Sequence, residues 1–383
     1  MALSGSLFVG SLVIITVVAF VAVVVRWPFM AGRTPGRILG RVGSLLGVNF
    51  LVLLTAAAIL NAQFLFFADW TDLRGAFNGP PTATGLRAGG EAGRAARSNV
   101  RGEAAPATPG LVSLPKGTST SAGIFTYRVK GPASGVTASV VVVLPAGYSD
   151  LAKASTHYPV IEAFQGYPGS ASTWTRSMDI GGAIAARVAA KRMSPALIVI
   201  PQLQIPAGVD TECVNGAAGN GQIETWVAKD VPNWVATHFR VQTRRQSWAT
   251  IGLSAGAWCA AMVTTLHPAQ YSAAIVMGGY FRPNFGPFYQ PYPPRSALAN
   301  RYDLVALARR GAPPPVAIWL ETSHTDTVSY LSSVEFLKAS TAPMAVDATV
   351  LQHAGHRISL WKRLLPDALN WLGANIPGFS PKA

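Results

Sequence analysis

Two long runs of apolar residues without a charge open the chain: Leu3 to Val25 and Val42 to Ala68. Each exceeds the ~20 residues that cross a bilayer, so both are expected as transmembrane helices, about 3–25 and 42–68. A signal peptide is the alternative for the first run. It fits less well, because no positive charge precedes the apolar core and no small-residue cleavage site with a polar start follows it. Asn78 to about Pro109 is rich in Gly, Ala, Pro and Arg and poor in large apolar residues. Such a stretch buries no core and reads as a flexible tether.

From about Leu111 the pattern shortens. Gly123–Lys130 and Val136–Leu144 are β-branched runs separated by Gly and Pro, expected as an antiparallel pair. Short apolar strands then alternate with helical stretches. The strands are Tyr158–Phe164, Ala196–Ile200, Trp248–Leu253, Tyr271–Met277, Val316–Leu320 and Ala345–Leu351. The helices are Ile180–Met193, Glu224–Phe239 (bent by Pro232), Ala255–Leu266, Val328–Lys338 and Ile358–Leu372. Alternation of this kind means a mostly parallel sheet with helices on both faces. The class is α/β, an α/β-hydrolase fold preceded by two transmembrane helices. The domains are 1–68 as membrane anchor, 69–110 as linker and 111–383 as an extracytoplasmic α/β-hydrolase domain.

Composition sharpens the membrane reading. Half of the 383 residues are hydrophobic and only 13% are charged. Arg26, Arg33, Arg37 and Arg41 lie in or beside the short connection between the two runs, which makes it cytoplasmic by the positive-inside rule. Both termini then face out, with Asp69 and Asp72 on the far side. The net charge of +14 raises the question of nucleic acid. The basic residues form no stripe interleaved with aromatics, so no nucleic-acid partner is expected. A basic linker just outside a membrane meets anionic lipid or wall polymer instead.

The chemistry gathers at Ile251-Gly252-Leu253-Ser254-Ala255-Gly256. G-x-S-x-G is short and arises by chance in Gly-rich chains. Here a strand leads into it and a helix leads out, the context of a nucleophile elbow. A serine needs a base, and the base needs an orienting acid, in the chain order Ser, Asp or Glu, His. His353 and His356 both follow the last strand, and His356, just before the closing helix, is preferred. His267, at the end of the elbow helix, reads as a helix terminator. Glu321 and Asp326 both follow the preceding strand, and Asp326, one loop further on, is preferred. Two N–H groups must form the oxyanion hole. One is that of Ala255. The other belongs in the turn Gln165-Gly166-Tyr167-Pro168-Gly169-Ser170, where Tyr167 is preferred because proline has no N–H. The two cysteines, Cys213 and Cys259, are a candidate disulfide beside this site, with two buried free thiols as the alternative.

Gly166-Tyr167-Pro168-Gly169, the elbow at Ser254, Asp326 and Gly355-His356 followed by Trp361 resemble the esterase D family, which includes the secreted mycolyltransferases of actinobacterial envelopes. The resemblance covers roughly Gly123 to Gly373. It implies a serine esterase or acyltransferase that passes through an acyl-enzyme. It implies Ser254 as nucleophile, Asp326 as acid, His356 as base, and Tyr167 and Ala255 as oxyanion hole. Departures from the family pattern are Gln165, where Asp or His is common, and the sequence Ala354-Gly355-His356-Arg357, where Gly-Gly-His or Thr-His-Ser is common.

The expected function is therefore a membrane-anchored extracytoplasmic esterase or acyltransferase acting on an ester of a lipid, glycolipid or other cell-envelope component. A silent relative that binds envelope glycan or lipid is the alternative, and a peptidase a weaker one. No cofactor and no metal are expected, since the six His and two Cys lack metal-ligand spacing. The aromatic and Pro-rich segment 278–301 reads either as a lid or acyl-binding wall or as a packed surface loop.

Overall fold

The short apolar runs form the centre of a sheet. The computed structural model describes residues 3–78, 82–100, 114–286, 289–311 and 313–381. Among them ten strands share one sheet: β1 (Ala83–Gly89), β2 (Thr118–Ser121), β3 (Ile124–Lys130), β4 (Thr137–Val143), β5 (Val160–Phe164), β6 (Leu197–Pro201), β7 (Trp248–Leu253), β8 (Ala273–Met277), β9 (Ala317–Ser323) and β10 (Ala345–Leu351). The order is β1-β10-β9-β8-β7-β5-β6-β4-β3-β2. From β6 to β10 neighbours are parallel, and the flanking pairs are antiparallel. Every residue of β5 to β9 is buried, as expected of strands covered on both faces.

The helices are α1 (Ser6–Arg26), α2 (Pro35–Phe64), α3 (Trp70–Asn78), α4 (Ala92–Arg97), α5 (Ile180–Ala189), α6 (Ile223–Thr225), α7 (Val231–His238), α8 (Ala255–Leu266), α9 (Ala297–Arg301), α10 (Leu304–Arg309), α11 (Tyr330–Ala339) and α12 (Ile358–Asn375). The bend expected near Pro232 is a π-helical turn, Trp226–Asp230, between α6 and α7. The chain divides into two compact units. One gathers the described residues up to Thr82 with His324–Thr327 and Gln352–Leu360; the other holds the rest.

In the first unit α1 and α2 form a hairpin. Both are long and apolar enough to cross a membrane. The Thr16 and Thr55 hydroxyls meet at 2.7 Å between them, a polar contact of the kind that joins helices in lipid. The second run was expected to stay helical to residue 68. It stops at Phe64 because Leu65 takes a left-handed conformation, φ 52°. Asn61 closes the turn, accepting from the Phe67 N–H at 2.7 Å and donating to its carbonyl at 2.9 Å.

Residues 69–110, expected as a flexible linker, fold into α3, β1 and α4 where they are described. Residues 79–81 and 101–110 of that expectation lie outside the described residues. The composition was misleading for two physical reasons. β1 joins the sheet through backbone pairing with β10, from Ala83 opposite Leu351 to Gly89 opposite Ala345, and this needs no apolar side chain. α4 buries the small residues Ala92, Ala95 and Ala96. Its carbonyls are taken up by buried Arg245, which donates to Ala96 at 2.8 Å and to Ser98 at 3.0 Å.

One buried acid lies among the central strands. Glu162 on β5 is 0% exposed and accepts a 2.6 Å hydrogen bond from the Tyr271 hydroxyl. Burial pushes its carboxyl up to about 8 from the usual 4.5. Below about 4.5 the acid holds its proton folded and unfolded; between the two values only the folded chain holds it. Stability therefore falls as pH rises through that window. Glu162→Gln is expected to be more stable than the wild type by a margin that widens across the window and is constant above it. Denaturant unfolding near the two ends of the window measures this, and a margin independent of pH would refute the buried neutral acid.

Candidate active site

β7 runs directly into α8 through Ser254, whose backbone is held at φ 55°, ψ −123°. A side chain other than glycine pays a steric cost in this region. Two absences of Cβ permit the turn. A Cβ on Gly252 would lie 1.9 Å from the Gly256 carbonyl oxygen, and one on Gly256 would lie 2.2 Å from that of Phe164. The Ser254 N–H donates to the Met277 carbonyl at 3.0 Å, and its own carbonyl accepts from Ala257 and Trp258. The backbone of the serine is thus fixed from both sides.

Ala255 is the first residue of α8, where a helix has N–H groups without carbonyl partners in the helix and the positive end of its dipole. The turn after β5 comes close to the serine. A Cβ on Gly166 would lie 3.2 Å from Ser254 Cβ. Tyr167 follows, half-exposed, with its hydroxyl donating to the Gly208 carbonyl at 2.8 Å. Beside this turn opens a cavity of about 290 Å³, lined by Gln165, Ser170, Ser172, Gln202 and Gln204 among others. Its polar groups are neutral amides and hydroxyls. Gln165 is 3% exposed.

Cys213 and Cys259 form a disulfide with a 2.02 Å S–S distance, which ties the loop after β6 to α8. Trp258 strengthens the same attachment by donating to the Glu212 carbonyl at 2.7 Å. Glu212 is buried, and its carboxyl accepts from the Tyr280 hydroxyl. Burial holds that carboxyl well above the usual carboxylate range, with the Asp210 charge adding to the effect. The described residues of the segment 278–301 pack against this loop and α8. Tyr280 stacks on Trp258, Tyr292 on Tyr302, and the Ala217 N–H donates to the Pro291 carbonyl. Trp174, Trp226 and Trp258 are fully buried.

In the first unit, His356 Nδ1 lies 2.9 Å from Asp326 Oδ2, with both side chains largely buried. Asp326 comes three residues after the end of β9, and His356 five after the end of β10. The other candidates have different partners. His353 Nδ1 meets Asp69 at 2.8 Å. Glu321, in the second unit, accepts from Trp361 Nε1 at 3.1 Å. His267 caps the end of α8, with Nε2 2.7 Å from Glu224. Glu224 is held down to about 2 although burial alone would raise it, because His267, Arg301 and Tyr302 all bind its carboxylate.

The sequence profile of the putative esterase family matches residues 133–372. The chain belongs to this family. Its fold is that of the α/β-hydrolases, as the resemblance to the esterase D and mycolyltransferase-like enzymes implied. It resembles a ferulic acid esterase with a TM-score of 0.53 and 17% identity, over 65% of this chain and 96% of that one. An S-formylglutathione hydrolase of Agrobacterium tumefaciens aligns with a TM-score of 0.54 and 16% identity, over 67% and 98%. A fluorophosphonate-binding serine hydrolase of Staphylococcus aureus gives 0.52 and 14%, over 65% and 97%. A curated relative, an uncharacterized protein of Corynebacterium glutamicum, is 28% identical over 144 residues. That match spans 37% of this chain and a third (33%) of the relative.

The close pass of α8 and the end of β5 makes a firm prediction. Gly256→Ala is expected to cost roughly 3 kcal/mol, the upper end for overpacking, because the opposing atoms are backbone and have nowhere to go. Thermal unfolding of the two proteins measures it; an unchanged midpoint would refute the contact.

Proposed function

We propose that this esterase-family protein is a serine esterase or acyltransferase that works through an acyl-enzyme. Ser254 is the nucleophile, His356 the general base and Asp326 the acid that orients it. The observation that carries this reading is the backbone of Ser254, held at φ 55° where β7 turns into α8. Strain at a serine that opens a helix has a purpose when its hydroxyl must be presented to a substrate.

The steps follow from the residues. The hydrogen bond between Asp326 and His356 Nδ1 fixes the tautomer that leaves Nε2 as the proton acceptor. The Ser254 hydroxyl oxygen attacks the ester carbonyl carbon while its proton passes to Nε2. The N–H groups of Ala255 and Tyr167 stabilise the oxyanion. The C–O bond to the alcohol breaks, and the alcohol leaves with the proton from Nε2. A second hydroxyl, from water or from an acceptor alcohol, repeats the sequence in reverse and frees Ser254. Water gives hydrolysis and an acceptor alcohol gives acyl transfer. The cavity beside the turn after β5 combines an apolar wall of Val141, Ile200 and Pro201 with neutral amides and hydroxyls, which suits an uncharged substrate portion.

The protein acts from a membrane, with α1 and α2 as spans and the esterase domain outside. Arg26 at the end of α1, Arg33 in the connection, and Arg37 and Arg41 in the first two turns of α2 support this orientation. The Cys213–Cys259 bridge suits an oxidising compartment. The acyl ester is then a lipid or another cell-envelope component.

Membranes holding wild type are expected to take up a fluorophosphonate probe, and membranes holding Ser254→Ala to take up none. Asp326→Asn is expected to label about 10³–10⁴-fold more slowly, through loss of the correct histidine tautomer. A folded wild type that resists the probe would sink the proposal and favour a binding protein of the same fold.

A further inference from the structure

We infer that the turn leaving α2 is a positioning device for His356, so that the helical hairpin is part of the catalytic apparatus and not only its anchor. The inference rests on His356 as the base. The segment 65–72 meets the segment 353–357 at successive points, all inside the first unit. The His356 N–H donates to the Leu65 carbonyl at 2.7 Å. Gly355 lies so close that a Cβ there would be 2.6 Å from the Leu65 oxygen and 2.3 Å from the Phe66 oxygen. Arg357 Nη1 donates to the Phe66 carbonyl at 3.0 Å and to Asp72 Oδ2 at 2.7 Å. Its guanidinium carbon stands 4.7 Å from the centre of the Phe67 ring. His353 adds an exposed contact to Asp69 at 2.8 Å.

The centre of this clasp is the Arg357–Asp72 pair, whose side chains are only 5% and 2% exposed. A buried ion pair is stable only when hydrogen bonds satisfy both partners. Asp72 Oδ2 also accepts from the Ala68 N–H at 3.0 Å. The pair therefore fixes two backbone segments at once: residues 66–68 and the peptide just after His356. A base one residue from such a fixed point has its ring held by backbone on one side and by Asp326 on the other. A misplacement of about 1 Å in a catalytic group costs about 10²-fold in rate. Residues 65–72 precede the residues that match the family, and 353–357 lie within them.

The experiment uses the full chain in detergent micelles, with hydrolysis of p-nitrophenyl butyrate, hydrogen exchange of the 352–360 peptide and thermal unfolding. Asp72→Asn keeps shape and removes the charge. It is expected to lower kcat about 10- to 100-fold with KM within about twofold, and to speed exchange at His356. Arg357→Ala is expected to do the same. Arg357→Lys keeps a cation for Asp72 and is expected to recover kcat to within about fivefold of the wild type. Ser254→Ala is the blank. Wild-type kcat and wild-type exchange in Asp72→Asn would overturn the inference and leave the serine-esterase reading standing. So would a loss of kcat that merely follows the loss of folded protein, with Lys no better than Ala at position 357. A wild type with no turnover above Ser254→Ala would overturn the esterase reading, and this inference with it.

Discussion

The structure depends on how closely a strand and a helix can pass. β7 lies between β5 and β8 in the middle of the parallel strands, and α8 packs back on all three. The chain must reverse between them within one residue. Backbone at Gly252 touches backbone at Gly256, and Gly256 in turn touches the end of β5 at Phe164. Ser254 takes its strained conformation because these contacts leave no other path. The helix that follows is fixed again by the disulfide at Cys259 and by the Trp258 indole. The proposed nucleophile therefore stands on a support fixed by backbone contacts on both sides, as preorganisation requires.

The elbow was legible in the sequence because its cause is local. Two glycines, an apolar run before and a helical run after determine it, and the ranges Trp248–Leu253 and Ala255–Leu266 match the structure to the residue. The central strands were legible because strands buried on both faces must be continuously apolar. Asp326 and His356 were legible by chain order after β9 and β10, and the structure brings these two together. β1 left no such trace. Its sequence, Ala-Thr-Gly-Leu-Arg-Ala-Gly, is that of a loop, and pairing with β10, more than two hundred residues away in the chain, makes it a strand. α4 was invisible for a related reason: buried alanines and a distant arginine stabilise it, not an amphipathic stripe.

Burial of arginine also changes the meaning of the net charge. A count of basic residues suggested a solvated excess near a membrane. Arg240, Arg245 and Arg357 are instead interior, each 5% exposed. Arg245 donates to the carbonyls of Ala96, Ser98, Pro268 and Pro315, and burial lowers it only to about 10, so it keeps its charge at neutral pH. Five fixed donors make arginine able to bind several carbonyls from separate segments, which lysine cannot do with the same geometry.

Arg240 binds the carbonyls of Tyr148 and Lys153, within the family match, whereas Arg245 and Arg357 have a different logic in common. Each lies within the residues that match the family, and each binds backbone that precedes the match: Arg245 the end of α4, Arg357 the turn after α2. A segment can be attached to a fold by apolar packing, which is tolerant of small shifts, or by hydrogen bonds from a buried charge, which are not. An arginine that leaves its carbonyls is a buried charge without partners, so detachment is costly. That choice suits Arg357, whose neighbour is the proposed base. The residue after the histidine thus binds the N-terminal segment rather than the solvent.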